Sequence, residues 1–168
     1  YGENQVPNIC ENELSIYANG DDQEALLKKL TKRLESEESV FDFEKIVPSP
    51  DWDNTPNEDG ELPSEVEEIR NKSNGLLVMS IKKFPSTGKS DERWYNWNCD
   101  NWGTKWNAFD VERDICEYGD EVKYTFGTAW DAPREILIAL KEQYPQLSFR
   151  WFYRIEGWEA CGFLHEEV

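Results

Sequence analysis

Between Asn8 and Tyr17 the chain alternates, with Cys10, Asn12, Leu14 and Ile16 on one face, the two-residue period of a strand covered on one side. Asn19-Gly20 closes it. From Asp21 the period changes. Leu26, Leu27, Leu30 and Leu34 repeat at helical spacing, and Asp21 with Glu24 three residues on reads as an N-cap and capping box. Lys105 to Ile115 and Glu121 to Ala129 alternate again and, joined through Tyr118-Gly119-Asp120, predict a hairpin with Val122, Tyr124 and Phe126 on one face. A second helix is expected after Asp131 as its cap, with Pro133 in the first turn, Ile136, Leu137, Leu140 and Tyr144 facing inward, and Pro145 at its end. Leu147, Phe149, Trp151, Tyr153 and Ile155 then hold period two, and Glu156-Gly157 turns into a short fifth strand through Phe163.

The stretch between the first helix and the second strand, about residues 36–103, is less regular. Phe41, Phe43 and Ile46 read as a buried anchor before Pro48-Ser49-Pro50, Pro63 to Ile69 as a short acidic helix, and Leu76 to Ile81 as another short element. The order strand, helix, insertion, strand, strand, helix, strand is a split βαβ pattern. It predicts an α+β fold, a ferredoxin-like α/β sandwich in which an antiparallel sheet takes two helices on one face, in a single domain over residues 1–168 whose insertion supplies cover for the other face. This topology hosts many activities and names none of them.

Composition narrows the function classes. Thirty-five acidic against 18 basic residues give 168 residues a net charge of -17, which argues against direct binding to duplex DNA or an anionic membrane. Eight Trp and 14% aromatic residues argue against a disordered acidic chain. The longest apolar run, Leu76 to Met79, is far too short to span a bilayer. No basic-then-apolar leader is seen, and because the sequence begins at Tyr1 rather than Met a removed leader stays open, so location rests on the cysteines. Cys10, Cys99, Cys116 and Cys161 are scattered without a CxxC, and a zinc site would need all four to converge. Free thiols in a reducing cytoplasm fit best, with one long-range disulfide as the alternative, and neither metal nor cofactor is expected.

Two segments carry candidate chemistry. Trp94 to Trp106 holds five aromatics in thirteen residues. Trp94, Trp97, Trp102 and Trp106 would form a stacking platform for a small ligand or single-stranded nucleic acid, with Asn101 and Lys105 as polar readers. The competing reading is structural: the four Trp wedge the insertion against the open sheet face, and Gly103 makes a tight turn. The second segment, Glu35 to Glu68, has thirteen acidic residues against Lys45 alone. Focused negative charge of this kind can imitate phosphate spacing and occupy a basic groove on another protein, with Asp51, Asp53, Glu58, Asp59, Glu61, Glu65, Glu67 and Glu68 as the contacts. Its competing reading is a solvated loop.

Asp51, Asp53 and Asp59 do not make a calcium loop, because Pro56 stands where a Gly is needed and Leu62 where a Glu is needed. Catalytic motifs are missing, and the single histidine, His165, has no spaced cysteine partner. Carboxylate-only catalysis stays open without a pair that stands out. Asn71-Lys72-Ser73 is a formal glycosylation sequon that reads as coincidence.

Asn8-x-Cys10-x-Asn12-x-Leu14, Phe41-x-Phe43-x-x-Ile46-x-Pro48-x-Pro50, Trp94-Tyr95-x-Trp97 with Asn101-Trp102-Gly103-Thr104-Lys105-Trp106, Thr128-Ala129-Trp130-x-x-Pro133, and Glu156-Gly157 with Gly162-Phe163 together resemble the YubB-like (Api-like) proteins with a ferredoxin-like domain. The chain departs from that pattern in its acidic Asp51 to Glu68 segment and at Leu164 after Phe163. The resemblance implies a ferredoxin-like core, an origin in phages, prophages or conjugative plasmids, and a small cytoplasmic accessory protein with no established activity. It transfers no catalytic residue. With the charge pattern it leads to the expectation of a non-enzymatic interaction protein that inhibits a basic host factor, in defence or DNA processing, by nucleic-acid mimicry. An exposed edge strand would also support a homodimer.

Overall fold

The computed structural model describes residues 8–158 and 160–164. Two compact units result: one holds the chain up to Pro48 and from Asn98 onward, the other Ser49–Trp97.

The first unit is built on a five-stranded antiparallel sheet in the order β4-β5-β1-β6-β7: β1 (Ile9–Tyr17), β4 (Phe109–Ile115), β5 (Glu121–Ala129), β6 (Ser148–Ile155) and β7 (Cys161–Phe163). With α1 (Asp21–Arg33) after β1 and α3 (Arg134–Gln143) between β5 and β6, it is the ferredoxin-like α+β arrangement extended by one edge strand. The register places Leu14 opposite both Tyr124 and Trp151, so the inward side chains of the three central strands share one face. That face takes the apolar stripe of α1, with Leu27 and Leu30 buried, and that of α3, with Ile136, Leu137 and Leu140 buried. Phe41 fills it further, with ring centroids 4.8 Å from Tyr124 and 5.0 Å from Phe126.

One buried polar cluster pins the three strands. Asn12 Nδ2 donates to Thr128 Oγ1 at 2.9 Å and to the Cys10 carbonyl at 3.0 Å, while Asn12 Oδ1 accepts the Trp151 indole N–H at 3.1 Å. The Thr128 hydroxyl passes its own hydrogen to the Asp131 carbonyl at 2.7 Å. The side-chain polar groups of Asn12, Thr128 and Trp151 are all partnered, which is the condition under which buried polarity specifies register instead of weakening the core.

Several predicted details change. Asp21 is the first residue of α1 and not its cap: Gly20 takes that position at φ 106, with no side-chain cap, and Gln23 accepts the Asn19 N–H instead. Asp131 does not cap α3 either. Its carboxylate accepts the Ala132 N–H, and Pro133 precedes the helix, a position whose missing N–H leaves nothing unsatisfied. The strand expected from Lys105 begins only at Phe109, because Gly103 at φ 82 and the hydrogen bond from Asn98 to the Lys105 carbonyl hold the preceding residues in a turn.

Within Ser49–Trp97, the acidic helix expected over Pro63 to Ile69 is instead a strand, β2 (Glu65–Arg70), paired antiparallel with β3 (Leu77–Lys83) through a turn at Asn71–Gly75. Val66 and Ile69 fit helical spacing equally well, but cross-strand partners decide, as Glu67 meets Lys83 and Ile69 meets Met79. Arg93 organises this unit. Its guanidinium pairs with Asp91 at 2.9 Å, donates to the Trp52 and Pro56 carbonyls, and lies over the rings of Trp52 and Phe84. A further helix, α2 (Arg93–Trp102), was not expected from the sequence.

Candidate functional site

The acidic residues singled out in the sequence all fall in the Ser49–Trp97 unit. Asp53 pairs with Lys82, Glu67 with Lys83, and Glu68 with Arg70. Glu61 accepts both the backbone N–H and the hydroxyl of Ser86, and Asp51 accepts from the Asn54 amide. Glu58, Asp59 and Glu65 have no basic partner among the described residues. Folding therefore brings the bases of β2 and β3 onto part of the acidic run. The unit holds ten acidic and six basic residues, a net charge of -4. The remaining -13 sits in the sheet unit, which takes Glu35, Glu37, Glu38, Asp42 and Glu44 from the same run.

The β2–β3 hairpin adds a feature that charge alone does not reveal. Val66, Ile69, Leu76, Leu77, Val78 and Met79 are all exposed, with Leu76 at 65% and Val78 at 63%. Single exposed apolar residues are ordinary, whereas Ile69 and Met79, paired across the two strands with further exposed apolar residues beside them, make a surface of the kind that meets a partner, while Val66, three residues from Ile69 along β2, lies on the hairpin's other face.

The tryptophan-rich segment is divided. Trp102 is in the core, 4% exposed, with its indole N–H donated to the Val47 carbonyl at 2.9 Å and its ring 5.7 Å from Phe43. Phe43 in turn contacts Phe126 on the helix side of the sheet, so Trp102 does not wedge against the open face. Trp94 is exposed and stacks edge-on with Tyr95, while Trp97 and Asn101 are half-buried. Trp106 is 42% exposed and lies 4.3 Å from the Lys105 ammonium. The same ammonium is 6.0 Å from Trp130, a residue the sequence did not single out as a binding residue and one held at φ 72. Only the backbone outlier marks it, and no sequence pattern signals that.

The cysteines stay apart as free thiols. Burial pushes the Cys10 thiol up to about 11, which suits a small core residue and not a nucleophile. No group of three or more His, Cys, Asp or Glu is placed to hold a metal among the described residues, and His165 lies outside them. No helix among the described residues is long and apolar enough to cross a membrane.

Residues 101–165 match the ferredoxin-like domain in Api92-like protein. The match runs from the end of α2 through β7, and it supports an Api92-like ferredoxin-like family. No curated protein and no solved structure matches the chain at a significant level. The motif residues in the matched segment have structural work: Thr104 donates to the Ala129 carbonyl at 2.8 Å, and Gly103 admits the start of α3, since a Cβ there would stand 3.0 Å from the Arg134 nitrogen.

Proposed function

We propose that the chain is a non-enzymatic, cytoplasmic accessory protein of phage or plasmid type that binds a basic host protein, a defence or DNA-processing factor, in the place of nucleic acid. The observation that carries this reading is the β2–β3 hairpin, whose exposed apolar side chains share a compact unit with the uncompensated carboxylates of Glu58, Asp59 and Glu65. An apolar patch supplies the buried area of a contact, and the carboxylates supply sign and steering. The overall charge of -17 speeds encounter with a basic surface and makes it salt-dependent.

The test is an affinity capture from host lysate at low and moderate salt, comparing wild type with Asp51→Asn, Glu58→Gln, Asp59→Asn and Glu65→Gln combined. Asp53 and Glu61 are left alone because they hold the unit together through Lys82 and Ser86. Capture of a nucleic-acid-handling protein by the wild type only, lost with salt, is the expected result. No partner, or the same partner with both forms, overturns the reading.

A second reading rests on the exposed rings of Trp106 and Trp130 beside Lys105, which support a binding module for a small planar ligand or single-stranded nucleic acid. Quenching of tryptophan fluorescence by an oligonucleotide, abolished by Trp106→Ala, would favour it.

A further inference from the structure

The sheet of the first unit has a second face, formed by the residues that alternate with the buried ones. A groove of about 500 Å³ runs along it, with β1 and β5 as its floor. Phe109, from β4 with its ring over Gly127 of β5, and Phe152 on β6 form its walls, about two strand spacings apart, or roughly 10 Å. That width takes one extended backbone with its side chains.

Backbone geometry sets the first wall. The Phe109 ring lies against Gly127, where a Cβ would come within 2.4 Å of it. β4 loses register between Phe109 and Glu112, with Asp110 at φ 51, a bulge that turns the ring over the floor. Phe152 is exposed and packs edge-on against Phe163 at 5.4 Å. The Arg150 guanidinium already lies 4.9 Å from the Phe163 ring, so this face holds a cation over an aromatic ring within the chain itself.

Charge selects the occupant. On the floor Glu11 is paired with Arg154, and Glu13 with Lys123 at 2.8 Å. Asp110, which lines the groove at the β4 wall, and Glu112, further along β4 opposite the lining residue Thr125, have no basic partner among the described residues. An aromatic sheet face would suit stacked bases, but a surplus of carboxylates repels a phosphate backbone. We propose that the groove binds an extended basic segment of a partner protein, with alternate Arg or Lys side chains crossing Phe109 and Phe152 toward Asp110 and Glu112. The inference shares with the proposed function only the partner's basic character and uses different residues, so each can fail alone.

The probes are a short peptide with Arg at alternate positions, its Glu counterpart, and an oligothymidine, each titrated into the isotope-labelled full chain. The Arg peptide is expected to shift the amides of Glu11 to Ser15 and Thr125 to Gly127. Phe152→Ala should weaken it about fivefold or more, and Asp110→Asn with Glu112→Gln, which keeps the fold's shape, should do so by a similar factor. The hairpin variant Glu58→Gln, Asp59→Asn, Glu65→Gln should stay within about twofold of wild type. No binding, shifts away from this face, insensitivity to both face variants, or preference for oligothymidine overturns the inference. So do concentration-dependent shifts of the same amides without peptide, which would make a second copy the occupant. Loss of peptide in the hairpin variant alone would sink the groove and leave the proposed function standing.

Discussion

Asn12 is the single side chain on which the first unit's register most depends. It satisfies an indole N–H from β6 and a hydroxyl from β5 at once, in a site from which water is excluded. Asn12→Ala leaves the Trp151 indole N–H unpartnered and removes the hydrogen bond that the Thr128 hydroxyl accepts, and about 2–4 kcal/mol of stability should go with it in urea unfolding. Asn12→Asp would be a harsher change, since it buries a charge among neutral partners. Asp91 gives a pH-dependent counterpart in the second unit. The Arg93 guanidinium beside it holds its carboxyl below the ordinary value of 3.8. A lowered value means stability that is fully present above about pH 4 and is lost as pH falls through the folded-state value. Asp91→Asn should therefore lower the melting temperature of the Ser49–Trp97 unit near neutrality. The gap to wild type should close in acid; an equal gap at every pH would show that the side chain acts by shape and not by charge.

At the scale of elements, Gly127 shows how one missing Cβ places a ring. Gly127→Ala drives the Phe109 ring from its seat and should cost about 1–3 kcal/mol by overpacking, read in thermal melts, while β5 keeps its pairing with β1. The same elements show what the sequence discloses. β1 and β6 were legible because each is covered on one side by a core, and period two survives only there. α1 was legible from its leucine stripe, although its cap was not, since Asp21 and Gly20 are both good candidates and only φ separates them. β2 was misread as a helix because both of its faces are exposed, so no alternation was imposed on it. α2 is not legible although Trp94, Asn98 and Trp102 stand at helical spacing, because Trp and Asn are weak helix formers and the segment carries no apolar stripe of leucines such as marks α1. Of the candidate site, Asp51 to Glu68 was legible as charge. Its compensation by Lys82, Lys83 and Arg70 was not, since pairing across strands depends on the register of a hairpin that had not been foreseen.

At the scale of the whole molecule, both units carry net negative charge. The sheet unit has -13 and the hairpin unit -4, so a basic partner is drawn to either, and contact residues must select the site. Exposed apolar side chains on the hairpin and aromatic walls on the sheet are features able to do so. The most direct test of the central claim is the affinity of the purified protein for its captured partner, measured by calorimetry across a series of salt concentrations for wild type and for the Asp51, Glu58, Asp59 and Glu65 variant. The account predicts that affinity falls steeply with salt for the wild type, and that the variant binds more weakly with a shallower dependence. Equal affinities with parallel salt dependence would contradict it.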